Sequence, residues 1–99
     1  MRFTQIIDLE TERMDEMRTL MDEWGNEEES RDYGPTRSQI LKDRDNANRY
    51  YVVVEFNSYD EAMRNSDDPR ISAMAERLQS LCTRPTRFIN CDALEISEP

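Results

Sequence analysis

The residues of this sequence that could do chemistry are a few aromatic, amide and carboxylate side chains. There is no histidine, so no imidazole can act as a general acid or base or bind heme or a transition metal. The two cysteines and the scattered carboxylates lack the short spacings of zinc sites. We therefore expect no metal and no cofactor. The side chains that could line a ligand pocket are Trp24, Tyr33, Tyr51, Glu55, Asn57, Phe88 and Asn90.

Several of these candidate residues also have a purely structural interpretation. Trp24 ends the apolar stripe of a helix and could simply pack in the core. Tyr33 stands beside Gly34 in a loop, as a lid residue or as a surface aromatic. Glu55 and Asp92 could share a semi-enclosed site and transfer protons, or they could pair with nearby arginines.

The stretch "NRYYVVVEF", residues 48–56, is the segment that would position most of these side chains. Its alternation predicts a strand with an apolar face under the helices and a mixed face opposite. The apolar row is Tyr50, Val52, Val54 and Phe56, and the mixed row is Tyr51, Val53, Glu55 and Asn57. On the last strand we expect Phe88, Asn90 and Asp92 to share the mixed face, with Ile89 and Cys91 on the other.

The same stretch partly matches the signature strand of RNA recognition motifs. Both small positions of that signature fail here, and Val53 stands where a stacking aromatic is required. The net charge of −9 also repels a phosphate backbone. We therefore expect no nucleic-acid partner.

The pattern along the chain predicts the order β-α-β-β-α-β. Apolar residues at spacings of three and four predict a first helix that Thr11 caps and Gly25 ends. Ser58 and Glu61 form a capping box, and Pro69 begins a further helix. The predicted strands cover residues 2–9, 37–44, 50–57 and 88–96. This order predicts an α+β, ferredoxin-like fold, a four-stranded antiparallel sheet with its helices on one face. The 99 residues suit a single domain.

The distribution of apolar and charged residues bears on the cellular compartment that we expect for the protein. The chain has no apolar run long enough to cross a bilayer, and its acidic start lacks the features of a signal peptide. We therefore expect a cytoplasmic protein without a membrane partner. Two cysteines in such a chain are more often reduced than paired, although a Cys82–Cys91 disulfide remains open.

The segments "YYVVVEFNSYDEAMRNSDDP" and "RPTRFINCDALE" resemble those of the dimeric α/β-barrel superfamily. The resemblance is to antibiotic-biosynthesis-monooxygenase-like and related small actinobacterial-type domains. It implies a homodimer whose two sheets form a shared barrel, with a ligand cavity between each sheet and its helices or loops. It also implies a hydrophobic or aromatic ligand.

Some proteins of this superfamily are cofactor-free monooxygenases. In that branch Trp, Asn and Tyr line the pocket, and a deprotonated phenolic substrate held by neutral donors itself activates oxygen. Trp24, Tyr51, Asn57 and Asn90 are the matching residue types here. The alternative is a non-catalytic dimer with a binding or accessory role.

Overall fold

The computed structural model describes residues 1–28 and 34–97, with the side chains of residues 24–28 left undescribed. Seven elements follow one another along the chain. They are β1 Phe3–Glu10, α1 Met14–Glu28, β2 Arg37–Lys42, β3 Arg49–Phe56, α2 Tyr59–Ser66, α3 Pro69–Ser80 and β4 Arg87–Asp92. The predicted β-α-β-β-α-β order is confirmed, with the second helical region divided at Asp67 and Asp68.

The four strands form one antiparallel sheet in the order β2-β3-β1-β4. The central pair, β1 and β3, aligns Phe3 with Phe56 and Ile7 with Val52. Residues opposite each other in a register share a face of the sheet. The ferredoxin-like prediction is therefore confirmed, and β2 and β4 are the two edges.

The core lies between the central strands and the helices. Leu9 and Val52 pack with Met17 of α1, which is fully buried, and Leu78 of α3 joins the same cluster. A second cluster contains Phe3, Phe56 and Ala62. Phe3 also meets Tyr59 edge to face, with ring centroids 5.3 Å apart. The predicted apolar row of β3 thus faces the helices.

The helix starts follow capping rules, except at α1. Ser58 accepts a hydrogen bond from the Glu61 amide at 3.2 Å, and Asp68 caps α3 directly before Pro69. Helix α1 begins at Met14 and not directly after Thr11. Thr11 instead accepts from the Arg13 amide at 2.9 Å and donates to the Leu81 carbonyl at 2.6 Å, which links the start of α1 to the end of α3.

Two predicted element ends are wrong. Helix α1 continues past Gly25 to Glu28, because a glycine inside a helix costs only about 1 kcal/mol and does not by itself end it. Strand β4 ends at Asp92, four residues before the predicted end at Ile96. The last pairing contact of that region is the Ala93 amide, which donates to the Arg2 carbonyl at 2.9 Å.

Candidate functional site on the uncovered sheet face

The face of the sheet that the helices do not cover carries an apolar row across three strands. Ile6 of β1 pairs with Val53 of β3 on one side and with Ile89 of β4 on the other. All three side chains are half-buried. We call this row, with the residues that share its parity on the four strands, the uncovered face.

Polar residues lie on both sides of the apolar row. On one side Glu55 aligns with Arg37 and Thr4, and Thr4 in turn aligns with Cys91. On the other side Tyr51 aligns with Asp8. The uncovered face therefore has an apolar centre between two polar margins, an arrangement suited to an interface or to an amphipathic ligand.

Asp8 is the centre of an ion-pair network at one margin. Its side chain is 7% exposed, and Arg49 binds both of its carboxylate oxygens, at 3.0 and 2.7 Å. Arg84, from the loop after α3, donates to Asp8 at 2.9 Å and to Glu10 at 3.1 Å. Burial removes most of the hydration of the Asp8 carboxylate. The guanidinium groups of Arg49 and Arg84 compensate for that loss and keep the carboxylate stable in its charged form.

The hydrogen bonds from Arg49 hold the pKa of Asp8 below its usual value, against the opposing effect of burial, and Arg84 adds to the lowering. The same contact raises the pKa of Arg49. A carboxylate with a lowered pKa and two fixed cationic partners is a poor proton acceptor near neutral pH. Asp8 therefore holds the two arginines in place and is not suited to act as a general base.

Tyr51 is held by a carboxylate beyond the end of β2. Its hydroxyl donates to Asp43 Oδ2 at 2.7 Å. This bond, with further bonds from Asp45 and Asn46, lowers the pKa of Asp43 to about 2, and it raises the pKa of Tyr51. Because the phenolic proton is committed to Asp43, Tyr51 can offer a ligand only its oxygen lone pairs and the face of its ring.

The structure does not bring all of the predicted pocket residues together. Tyr51 and Glu55 lie on the uncovered face, as predicted. Asn57 lies beyond the end of β3 and is exposed in the turn before Ser58. Trp24 belongs to α1, but its side chain lies outside the described residues, and so does all of Tyr33.

Phe88, Asn90 and Asp92 were assigned to the wrong face. Phe88 aligns with Ile7, Asn90 with Gln5 and Asp92 with Phe3, so all three are on the helix side. The predicted site shared by Asp92 and Glu55 is therefore wrong. The Gln5 side-chain amide donates to Asn90 Oδ1 at 3.0 Å. The error arises because the helices leave edge strand β4 largely open. Phe88 is 54% exposed although it lies on the helix side, so in β4 the apolar residues do not mark the face that packs against the helices. Ile89 and Cys91 take the uncovered face instead.

The position of Phe88 also distinguishes this sheet from RNA-binding sheets. Such sheets stack bases on aromatic residues that share one exposed face. Tyr51 and Phe88 lie on opposite faces of this sheet. The two residues therefore do not form a common stacking surface.

Sequence reasoning missed the residues that dominate the polar margin. Asp8, Asp43 and Arg84 were not singled out, although Asp8 interrupts the otherwise apolar run of residues 6–9 in β1. A carboxylate at such a position requires a cationic partner nearby, and that requirement was the available signal. Arg84 gave no such signal, because its position depends on how the loop after α3 folds back onto β1.

Both cysteines are free thiols, and both are half-buried. Among the described residues, no group of three or more Cys, Asp or Glu side chains is placed to hold a metal ion. No helix in that part of the chain has the length and apolar character to cross a membrane.

The fold is that of antibiotic biosynthesis monooxygenase domain proteins. SnoaB, a cofactor-independent oxygenase from Streptomyces nogalater, superposes with a TM-score of 0.81 at 18% sequence identity, over 96% of this chain and 95% of that chain. Rv0793 from Mycobacterium tuberculosis superposes with a TM-score of 0.79 at 14% identity, over 99% and 100%. These likenesses confirm the predicted resemblance at the level of fold.

A further structure is described by the name of this class of protein. A protein from Caulobacter crescentus, described as a candidate antibiotic biosynthesis monooxygenase, superposes with a TM-score of 0.81 at 12% identity, over 95% and 91%. No protein-family model matches the sequence, and no curated protein matches it.

Proposed function

We propose that this protein is a cytoplasmic homodimer whose uncovered faces meet, and that the dimer binds a hydrophobic or aromatic metabolite. The observation that carries the proposal is the row Val53–Ile6–Ile89, which crosses three strands on the face that the described helices leave open. Contiguous apolar surface of this kind is a common mark of an interface or a ligand site. A second copy related by a twofold axis would cover the row with the same row.

The polar margins favour binding of an amphipathic ligand over a fully apolar one. At one margin Arg49 and Arg84 are committed to Asp8 and Glu10, which leaves Arg87, aligned with Asp8 on β4, as the cation of that margin that could meet an anionic group. Tyr51 offers an aromatic ring and an acceptor oxygen. A ligand with an aromatic body and a hydroxyl donor matches these groups better than a strongly anionic ligand does.

We further propose that the ligand is oxidised by dioxygen without a cofactor. The support is the fold shared with a protein whose name states that it is a cofactor-independent oxygenase, together with Tyr51, a neutral polar residue that lies on the uncovered face. In such a reaction the protein binds and orients a phenol and excludes water, while the deprotonated substrate supplies the electrons that reduce dioxygen.

The second candidate is a dimer that binds without catalysis. One observation favours it. Asp8, a buried carboxylate on the uncovered face, is paired with Arg49 and Arg84, and its pKa is lowered. A substrate phenol would then need another group to take its proton. Glu10 on the same face is paired with Arg84. Glu55 is the further carboxylate within the strands of that face, which makes it the residue to test.

Two measurements on the purified protein test the proposal. Native mass spectrometry near physiological salt should show a dimer, and a retained ligand would appear as extra mass. Oxygen uptake is then measured with 1-naphthol and with naphthalene as a probe that lacks the hydroxyl. Uptake with 1-naphthol alone, reduced at least tenfold by Glu55→Gln, supports the oxygenase. Binding of 1-naphthol without uptake supports the non-catalytic dimer, and a monomer that binds neither probe contradicts both.

A further inference from the structure

Arg87 lies at the outer corner of the uncovered face, where β4 begins. It aligns with Asp8 on β1, and it is exposed. A cation directly opposite a carboxylate on a neighbouring strand would ordinarily pair with it. Yet among the described residues no carboxylate makes an ion pair with Arg87. Arg87 is therefore a cation beside a buried carboxylate to which it is not bound.

Other arginines already occupy both carboxylate oxygens of Asp8. Arg49 donates to Oδ1 at 3.0 Å and to Oδ2 at 2.7 Å, and Arg84 donates to Oδ1 at 2.9 Å. Arg84 also binds Glu10, the next carboxylate on that face of β1. With Arg87, the corner thus holds three guanidinium groups and two carboxylates, which leaves one positive charge in excess. This local excess contrasts with the net charge of −9 of the whole chain.

The remaining carboxylates near the uncovered face have partners or neighbours of their own. Glu55 lies at the opposite margin, where it aligns with Arg37 of its own chain. Asp43 follows β2 at the far edge of the sheet, and the Tyr51 hydroxyl donates to it. In a face-to-face dimer the second copy brings the same residues with the same neighbours. The excess charge of Arg87 is therefore available to a ligand.

We propose that Arg87 binds a carboxylate of the ligand, and that the ligand is a hydroxylated aromatic acid. This proposal rests on the proposed function and names the class of its ligand. Ile89 stands two residues beyond Arg87 on the same face and belongs to the apolar row, about 7 Å away along the strand. The aromatic rings would lie on the apolar row while the carboxylate meets the guanidinium group at the margin. The alkyl part of the arginine side chain can itself pack against the rings.

The spacing of Arg87 and Tyr51 suits a ligand of two fused rings with a single negative charge. The two residues flank Asp8 on either side, so their backbones are two strand spacings apart, roughly 10 Å at about 4.8 Å each. A carboxylate at one end of the ligand can meet Arg87 while the other end reaches Tyr51. A guanidinium group binds a carboxylate through two parallel hydrogen bonds. One uncommitted arginine matches one carboxylate, whereas a phosphate would bring a second charge.

Three probes test the carboxylate site on the wild-type protein. Isothermal titration calorimetry near physiological salt compares 6-hydroxy-2-naphthoate, its methyl ester and 2-naphthol, which share the rings and the hydroxyl while only the first is charged. The acid should bind at least tenfold more tightly than the ester, although the net charge of −9 opposes it. An ester that binds as tightly as the acid overturns this proposal and leaves the proposed function standing. Failure of all three probes to bind overturns both.

Variants then assign the preference to Arg87. Arg87→Gln should weaken binding of the acid at least tenfold and change binding of 2-naphthol less than twofold, and Arg87→Lys should keep part of the preference. The matched control is Arg77→Gln, which removes the same charge from the exposed side of α3 and should leave the preference unchanged. Suppose instead that Arg87→Gln keeps the preference and weakens the dimer at least tenfold in sedimentation equilibrium. Arg87 would then pair with the second copy, and the carboxylate site would be overturned.

Discussion

Arg49 binds both carboxylate oxygens of Asp8 across the central strands of the sheet, at 3.0 and 2.7 Å. The two residues are diagonal neighbours, since Asp8 aligns with Tyr51 and Arg49 aligns with Glu10. Arg84 completes the network from a separate loop. One margin of the uncovered face is thus fixed by charge pairing, while its centre is apolar.

Replacing Asp8 should destabilise the fold. Asp8→Asn leaves two guanidinium groups without their shared carboxylate, and they are 34% and 33% exposed, so solvent recovers part of the loss. We expect the free energy of unfolding in urea to fall by about 2 kcal/mol. The control is Glu16→Gln, which breaks an exposed pair with Arg13 and should cost less than about 0.5 kcal/mol. An equal loss of unfolding free energy in the two variants would show that the Asp8 network stabilises the fold no more than an exposed ion pair does.

The contribution of Asp8 should depend on pH in a defined direction. Its pKa in the folded protein lies below the ordinary value of 3.8, so the folded state binds its proton less tightly than the unfolded state. The stabilisation is complete above pH 3.8 and is lost as the pH falls through the lowered pKa. The difference in unfolding free energy between wild type and Asp8→Asn should therefore shrink below that pH. A difference that stays constant down to pH 2.5 would contradict the assignment.

The bond between Tyr51 and Asp43 should be visible in a titration. Carboxylate carbon shifts followed by NMR should give Asp43 a pKa of about 2. Tyr51→Phe removes the largest cause of the lowering, so the pKa should rise towards 3.8 while staying below it, because the bonds from Asp45 and Asn46 remain. An Asp43 pKa that does not move on this substitution would mean that the phenol does not donate to it in solution.

Thr11 should be far more sensitive to replacement than a surface threonine. It is 1% exposed, and its hydroxyl bonds both the Arg13 amide and the Leu81 carbonyl. Thr11→Val keeps the shape and removes both bonds, for an expected loss of about 1–3 kcal/mol in chemical denaturation. Thr11→Ser, which retains the hydroxyl, should cost less. The exposed Thr19 provides the matched control, and Thr19→Val should change stability by less than about 0.5 kcal/mol.

The sequence predicted the centre of the fold because the signals there are redundant. In β3 the alternation, the β-branched residues and the flanking turn all indicate one strand, and the buried side chains Val52 and Phe56 lie where that alternation placed them. Ser58 and Pro69 mark helix starts by local chemistry alone. Such features depend on neighbours in sequence, so they can be predicted without knowledge of the tertiary structure.

The candidate site was predicted less well because it depends on contacts between distant residues. The face that Phe88 takes is set by its alignment with Ile7 on β1, and no pattern within β4 reveals it. Arg84 meets Asp8 across 76 positions of sequence. Strand β4 was predicted to reach Ile96 because the alternation continues, but a strand also needs a partner, and among the described residues β4 is paired only as far as Asp92.

The most direct test of the face-to-face dimer is the sedimentation velocity of wild type beside two arginine variants. Val53→Arg places a charge in the centre of the apolar row, whereas Ala73→Arg places the same charge on the exposed side of α3. The account predicts a dimer for wild type and for Ala73→Arg, and a folded monomer for Val53→Arg. A monomeric wild type, or a Val53→Arg protein that remains as dimeric as its control, would contradict the claim that the uncovered faces meet.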